Sequence, residues 1–177
     1  MKLVTFEHNG ALGAGYLDGD DILVCDQGPQ ATNAVLALIA EGGTSPWQAK
    51  GATALRVPLA EAKLLAPIPE PRRNIFCVGK NYYAHADEFH SSGFDSSGKE
   101  AVPAAPIIFT KATTSVIGPD AVVNGSLDPT NSVDYEGELG VVIGKRCFQV
   151  PKDKAYDHVF GYVIINDVTS RELQRHH

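Results

Sequence analysis

The chain has 177 residues, of which 44% are hydrophobic and 20% charged, a composition typical of a folded protein with a core and not of a disordered chain. Its formal net charge of -6 argues against nucleic-acid binding, because neutralising phosphates requires clustered cations. No apolar run reaches the length of a membrane span and the start shows no signal-peptide pattern, so we expect a cytoplasmic protein that binds neither nucleic acid nor membrane.

Residues 1–70 are predicted to form a small α+β domain. In three runs, LVTFEH, ALGAGYLDG and DILVCD, apolar residues alternate with other residues, and turn residues separate the runs. This pattern predicts an antiparallel meander. The run over residues 31–40 has helical spacing, and Thr44, Ser45 and Pro46 favour the start of a second short helix. The proline-rich stretch LLAPIPEPRR then predicts a linker, which places the domain boundary near residue 71.

Residues 71–177 are predicted to be mainly β, which makes the whole chain α+β with more strand than helix. The pattern predicts short strands separated by polar loops. These strands are the apolar runs NIFCVG, PIIFTK and VFGYVIIND and the glutamate-bearing stretch before the last of them. The Ser-, Gly- and Pro-rich residues 90–106 predict a long surface loop. Cys25, Cys77 and Cys147 each lie in an apolar run, so we expect buried free thiols and neither a disulfide nor a zinc site.

Two glutamates, Glu136 and Glu138, lie in an apolar stretch that predicts a strand. Side chains two residues apart on a strand point the same way, so a hard divalent cation between the two carboxylates would remove their repulsion. Asp167, which ends the apolar run FGYVIIN, is the natural third ligand. The alternatives are that both glutamates lie on the solvent face of an edge strand, and that Asp167 or Thr169 caps a following helix.

A second candidate group lies in NIFCVGKNYYAHADEF, where His85 and Glu88 are three residues apart. On a helix this spacing puts both side chains on one face. A carboxylate beside an imidazole raises its basicity, as a general base acting on water requires. The alternative is a solvated surface pair. Asp87 and His90 offer the same chemistry with less support.

Four segments, FCVGKNYYAHADE, PIIFTKATTSVIGP, VDYEGELGVVIGK and GYVIINDVTSRELQ, together resemble the fumarylacetoacetate hydrolase (FAH) family, in particular its bacterial fumarylpyruvate and acylpyruvate hydrolases. They follow in the family's order across residues 74–174. The resemblance implies an FAH-type mixed β-roll as the catalytic domain, over residues 71–177. Family members continue for roughly another hundred residues, so we expect this domain to be incomplete here. The first seventy residues resemble the family's variable amino-terminal domain more loosely.

The resemblance implies a role for each residue that matches a functional position of the family. These residues are the metal ligands Glu136, Glu138 and Asp167, the catalytic pair His85 and Glu88, and the substrate- or lid-linked Lys111, Arg171 and Gln174. The implied metal is Mg²⁺ or Mn²⁺. For the last group the alternatives are a solvated lysine at a strand end and the exposed face of a helix.

The reaction implied by the resemblance is metal-dependent hydrolysis of a carbon–carbon bond in an acylpyruvate such as fumarylpyruvate, giving pyruvate and a carboxylic acid. The 2-oxo acid would chelate the ion, which stabilises the enolate left by bond cleavage, while His85, oriented by Glu88, would activate water. Alternatives are an oxaloacetate decarboxylase, an oxo-diacid isomerase, or a non-catalytic fragment that binds metal or dicarboxylate. A role in aromatic catabolism and a homodimer in the full-length form are further expectations.

Overall fold

A computed structural model of the chain describes residues 1–51, 53–84 and 104–176, which fall into two compact units. Unit 1 comprises Met1–Arg73, Ala112–Ala121 and Val141–Tyr162, and unit 2 comprises Asn74–Lys111, Val122–Gly140 and Val163–His177. Strands predominate over short helices in the described residues, which confirms the predicted α+β, mainly β class.

Unit 1 contains a five-stranded antiparallel sheet, made of β1 Leu3–His8, β2 Ala11–Asp18, β3 Asp21–Gln27, β4 Arg56–Pro58 and β5 Lys63–Leu64. The strand order is β4-β3-β2-β1-β5. The turn between β1 and β2 uses Asn9 and Gly10, both at positive φ, a conformation that these two residue types tolerate well. The predicted meander is confirmed by the antiparallel pairing of β1 with β2 and of β2 with β3. Consecutive residues in the middle of each strand are buried, so both faces of the strands are covered there.

Two short helices, α1 Ala34–Ala40 and α2 Ser45–Gly51, cover this sheet. The predicted first helix begins later than expected, because Pro29–Asn33 form a 3₁₀ turn before it. Together the helices and sheet bury a core cluster of Ala14, Cys25, Ala31, Ala34, Val35, Leu38, Ile39 and Trp47. The helices of residues 1–51, 53–84 and 104–176 include none with an apolar stretch of the length that a membrane span requires.

The remaining strands form two-stranded sheets. They are β6 Ile75–Gly79 with β7 Ile107–Lys111, β8 Val133–Asp134 with β11 Thr169–Ser170, and β9 Gly137–Ile143 with β10 Val159–Asn166. The β6–β7 pair is antiparallel and sets Ile75 opposite Lys111. A short helix, α3 Arg171–Gln174, follows β11 directly. Its N-cap residue is Ser170, so the alternatives in which Thr169 or Asp167 caps it are wrong.

The three cysteines are free, but they differ in exposure. Cys25 is buried in the core of unit 1, Cys77 is half-buried on β6, and Cys147 is exposed. The prediction of free thiols is confirmed, whereas burial of Cys147 is wrong. Its segment, KRCFQV, lies beyond the end of β9 and has no regular structure, so the apolar neighbours do not enclose it.

Candidate active site

Unit 2 contains every candidate site residue that the structure describes. These are Glu136, Glu138, Asp167, Lys111, Arg171 and Gln174. The candidate catalytic pair His85 and Glu88, and the alternatives Asp87 and His90, lie outside the described residues. The roles assigned to those four residues therefore stay predictions.

A main-chain hydrogen bond places Glu136 next to Asp167. The Asp167 amide donates to the Glu136 carbonyl at 2.8 Å, and the Glu136 amide donates to Oδ1 of Asn166 at 3.0 Å. Glu136 immediately precedes β9 and Glu138 is the second residue of that strand, while Asp167 immediately follows β10. The pairing of β9 with β10 thus brings together the main chains of two acidic residues, Glu136 and Asp167, that lie far apart in the sequence.

Arg171 joins two carboxylates near the start of β9. Its Nε donates to Asp134 Oδ2 at 3.0 Å, and its Nη1 donates to Glu136 Oε1 in a short contact and to Gln174 Oε1 at 3.3 Å. Burial lowers the pKa of Arg171, but hydrogen bonds to Glu136 and Asp134 outweigh that effect and hold it above its usual value. The alternative of an exposed helix face is wrong for Arg171, whose side chain is only 16% exposed.

Lys111 binds Asp167 at the end of β7. The ammonium lies 2.5 Å from Asp167 Oδ1 and also donates to the carbonyl of Val168 at 3.2 Å. The Asp167 side chain is 11% exposed, so this ion pair is shielded more than a surface pair is. The alternative of a freely solvated lysine is therefore wrong.

Cys77 is a neighbour of the candidate site that the sequence did not reveal as such. Burial raises the pKa of its thiol, as do the negative charge of Asp167, a hydrogen bond from the thiol to that carboxylate and, more weakly, the charge of Glu138, while Lys111 opposes these effects. The carboxylates of Asp167 and Glu138 thus both act on one thiol. The alternation of IFCVG offered a signal, because it puts Cys77 on the face of β6 that carries Ile75, opposite Lys111.

The donor chemistry suits a hard divalent cation, since Glu136, Glu138 and Asp167 offer only carboxylate oxygens. In residues 1–51, 53–84 and 104–176, however, no group of three or more His, Cys, Asp or Glu side chains is arranged to hold a metal ion. Arg171 and Lys111 instead neutralise Glu136 and Asp167. An ion at this place would therefore share these carboxylates with two protein cations.

Comparisons with known proteins match each of the two parts of the chain to a protein family. Residues 74–177 match the family described as fumarylacetoacetate (FAA) hydrolase, C-terminal, and residues 1–67 match the one described as Rv2993c-like, N-terminal. The chain is 49% identical over 120 residues to oxaloacetate tautomerase YisK of Bacillus subtilis. That match covers 67% of this chain but 37% of the relative, so the chain matches little more than a third of the relative's length.

Two solved structures are similar over nearly the whole chain. Fumarylacetoacetate hydrolase from Exiguobacterium antarcticum is 34% identical with a TM-score of 0.74, and the match covers 100% of this chain and 59% of that one. Maleylpyruvate hydrolase from Sphingobium sp. SYK-6, solved with manganese(II) and pyruvate, is 26% identical with a TM-score of 0.68, covering 97% and 60%. The described residues therefore adopt the fold of part of these larger proteins.

Proposed function

Because the chain belongs to the fumarylacetoacetate hydrolase family, we propose that it acts in divalent-metal-dependent hydrolysis of a carbon–carbon bond in an acylpyruvate such as fumarylpyruvate. The observation that carries the proposal is the proximity of Glu136 and Asp167, each paired with a cation, where β9 and β10 meet. Similarity to a maleylpyruvate hydrolase solved with manganese(II) and pyruvate supports both the metal and the product.

In this proposal Glu136, Glu138 and Asp167 hold Mg²⁺ or Mn²⁺. The bound ion would supply Lewis-acid stabilisation of negative charge that develops on the 2-oxo acid. Arg171 fixes the Glu136 carboxylate through Oε1. Lys111 lies beside Asp167, where its ammonium is placed to attract the carboxylate of an incoming 2-oxo acid.

The remaining chemistry is assigned to His85 and Glu88. Hydrolysis requires a group that takes a proton from water, and a neutral imidazole nitrogen is suited to that step near pH 7. Glu88, three residues along, would orient the imidazole and stabilise its charged form. With the proton on His85, the hydroxide would attack the distal carbonyl, and the carbon–carbon bond would break to give a carboxylic acid and the enolate of pyruvate. The enolate carbon would then take the proton from His85, which gives pyruvate and restores the neutral imidazole.

Tautomerisation of a 2-oxo diacid is the second candidate function. The observation that favours it is the 49% identity to an oxaloacetate tautomerase over 120 residues. Interconversion of keto and enol forms requires proton transfer at carbon and oxygen but no cleavage of a carbon–carbon bond, so the same carboxylates would serve it without an attacking water. The two functions therefore differ in whether pyruvate is released.

Measurement of pyruvate release separates the two candidates. The chain would be incubated with fumarylpyruvate or acetylpyruvate, with Mn²⁺ or with excess chelator, and pyruvate would be followed through NADH oxidation by lactate dehydrogenase. A parallel assay would follow the ultraviolet absorbance of enol-oxaloacetate. We expect release from an acylpyruvate that the chelator stops.

Glu136→Gln tests whether the activity belongs to this site. We expect it to lower pyruvate release by about a hundredfold or more, because loss of a metal ligand removes several kcal/mol of transition-state stabilisation. Glu41→Gln is the matched control, since Glu41 is exposed at the end of α1 in unit 1. Chelator-sensitive tautomerisation without pyruvate release would favour the second function, and no chelator-sensitive activity with any of these substrates would contradict both.

A further inference from the structure

Helix α3 receives its cap from Ser132, the residue that immediately precedes β8. Its own N-cap residue, Ser170, makes no side-chain hydrogen bond to the helix. Instead, Ser132 Oγ accepts a hydrogen bond from the Glu172 amide at 3.0 Å, and the Ser132 carbonyl accepts one from the Arg171 amide at 3.0 Å. Because the first amides of a helix lack partners within it, Ser132 satisfies a need that the helix cannot meet itself.

Asp128 fixes Ser132 in this position. Its Oδ2 accepts from the Ser132 amide at 2.7 Å and from the Ser132 hydroxyl at 3.3 Å, and its Oδ1 accepts from the amide and hydroxyl of Thr130. The Ser132 hydroxyl also contacts those of Thr130 at 2.7 Å and Ser170 at 3.1 Å. We call Asp128, Thr130, Ser132 and Ser170 the Ser132 network.

The Ser132 network holds the main chain of the residue that binds Glu136. The Arg171 amide donates to the Ser132 carbonyl, and the Arg171 side chain donates to Asp134 and to Oε1 of Glu136. Among the described residues, the hydrogen bonds to this carboxylate involve Oε1 and leave Oε2 for another ligand. The arrangement thus orients the Glu136 carboxylate without occupying both of its oxygens.

We propose that Ser132, held by Asp128, is a positioning residue that sets Arg171 against Glu136 and thereby sets the affinity of the site for a divalent metal ion. The inference rests on the proposed function for the presence of the ion and adds the residues that tune its binding. Groups that orient a metal-ligating side chain typically contribute about 10- to 100-fold to metal affinity.

The test measures binding of Mn²⁺ alone to the chain by isothermal titration calorimetry. We expect Ser132→Ala to weaken binding about tenfold and Ser132→Thr, which keeps the hydroxyl, to restore most of the affinity. Ser126→Ala is the matched control, because the Ser126 hydroxyl bonds only within its own turn, to Asn124 Oδ1 at 2.7 Å, in the part of unit 2 that the structure describes. Asp128→Asn is a second variant, which weakens the hold on Ser132 without removing its hydroxyl.

Thermal melting of the metal-free variants shows whether they are folded before binding is compared. If the original chain binds Mn²⁺ and folded Ser132→Ala or Asp128→Asn binds it with the same affinity, this inference is overturned and the proposed function still stands. Equal weakening in Ser132→Ala and Ser126→Ala would also overturn it, because the effect would then not depend on the contact to α3. Absence of Mn²⁺ binding by the original chain would overturn the inference and the proposed metal site together.

Discussion

Lys111 and a divalent cation would compete for the negative charge of the Asp167 carboxylate. The Lys111 ammonium lies 2.5 Å from Asp167 Oδ1, in a pair that is mostly shielded from water. Coulomb interactions at such distances are stronger in a protein interior than in bulk water. An ion that binds Asp167 must therefore weaken this ion pair, which lowers the affinity of the site for the ion. The same ammonium is the cation proposed to attract the substrate carboxylate.

Substitution of Lys111 separates these two roles. We expect Lys111→Met to tighten Mn²⁺ binding by roughly tenfold, because it removes a competing positive charge, and to lower pyruvate release at limiting substrate. Calorimetry with Mn²⁺ and the coupled assay would measure the two effects, with Lys152→Met as a control at an exposed position. Weaker Mn²⁺ binding would contradict the competition and show that Lys111 chiefly orients Asp167.

The sequence indicated which residue types are candidates for the site, but it did not reveal the cations with which they pair. The types and spacing of Glu136, Glu138 and Asp167 suggested carboxylate ligands, since hard cations select oxygen donors. The pairing of Arg171 with Glu136 was not predictable, because it joins residues 35 positions apart through the short β8–β11 ladder. A two-residue strand has no periodicity by which a sequence could reveal it.

At the scale of elements, the meander of unit 1 depends on a glycine in β2. The register between β2 and β3 shifts between Ala14 and Gly15, and a side chain at Gly15 would overlap the carbonyl oxygen of Leu23 on β3. The alternation of side chains along the sequence predicted these strands, because successive side chains of a strand point to opposite faces. The irregularity was not predictable, since a close approach of two backbones depends on pairing geometry and not on local pattern.

Gly15→Ala should therefore destabilise unit 1. We expect a loss of about 2 kcal/mol in the free energy of unfolding, because the backbone of β3 must move to admit the methyl group. Urea unfolding followed by the fluorescence of Trp47 measures it, since this single tryptophan is buried in the core of unit 1. Gly43→Ala is the control, as a methyl group there meets nothing within 4 Å. Equal stability of the two variants would contradict the steric argument.

At the scale of the whole molecule, large apolar side chains are unusually exposed. On one face of the β6–β7 sheet, Phe76 is 70% exposed, Ile108 54% and Val78 44%. A two-stranded sheet whose apolar face is exposed to water is only marginally stable by itself, and its apolar surface favours association. The solved relatives are longer than this chain, which covers 59% and 60% of them. The homodimer implied by the family resemblance remains a proposal.

We therefore expect the 177-residue chain to self-associate through this face of the β6–β7 sheet. Sedimentation velocity over a range of protein concentrations should show an average mass that rises with concentration. The double substitution Phe76→Lys with Ile108→Lys should suppress that rise, because association would then bury charge. Phe148→Lys is the control, since Phe148 is 86% exposed but lies in the segment between β9 and β10. A monomer at every concentration would contradict the expectation and show that water tolerates this face in the isolated chain.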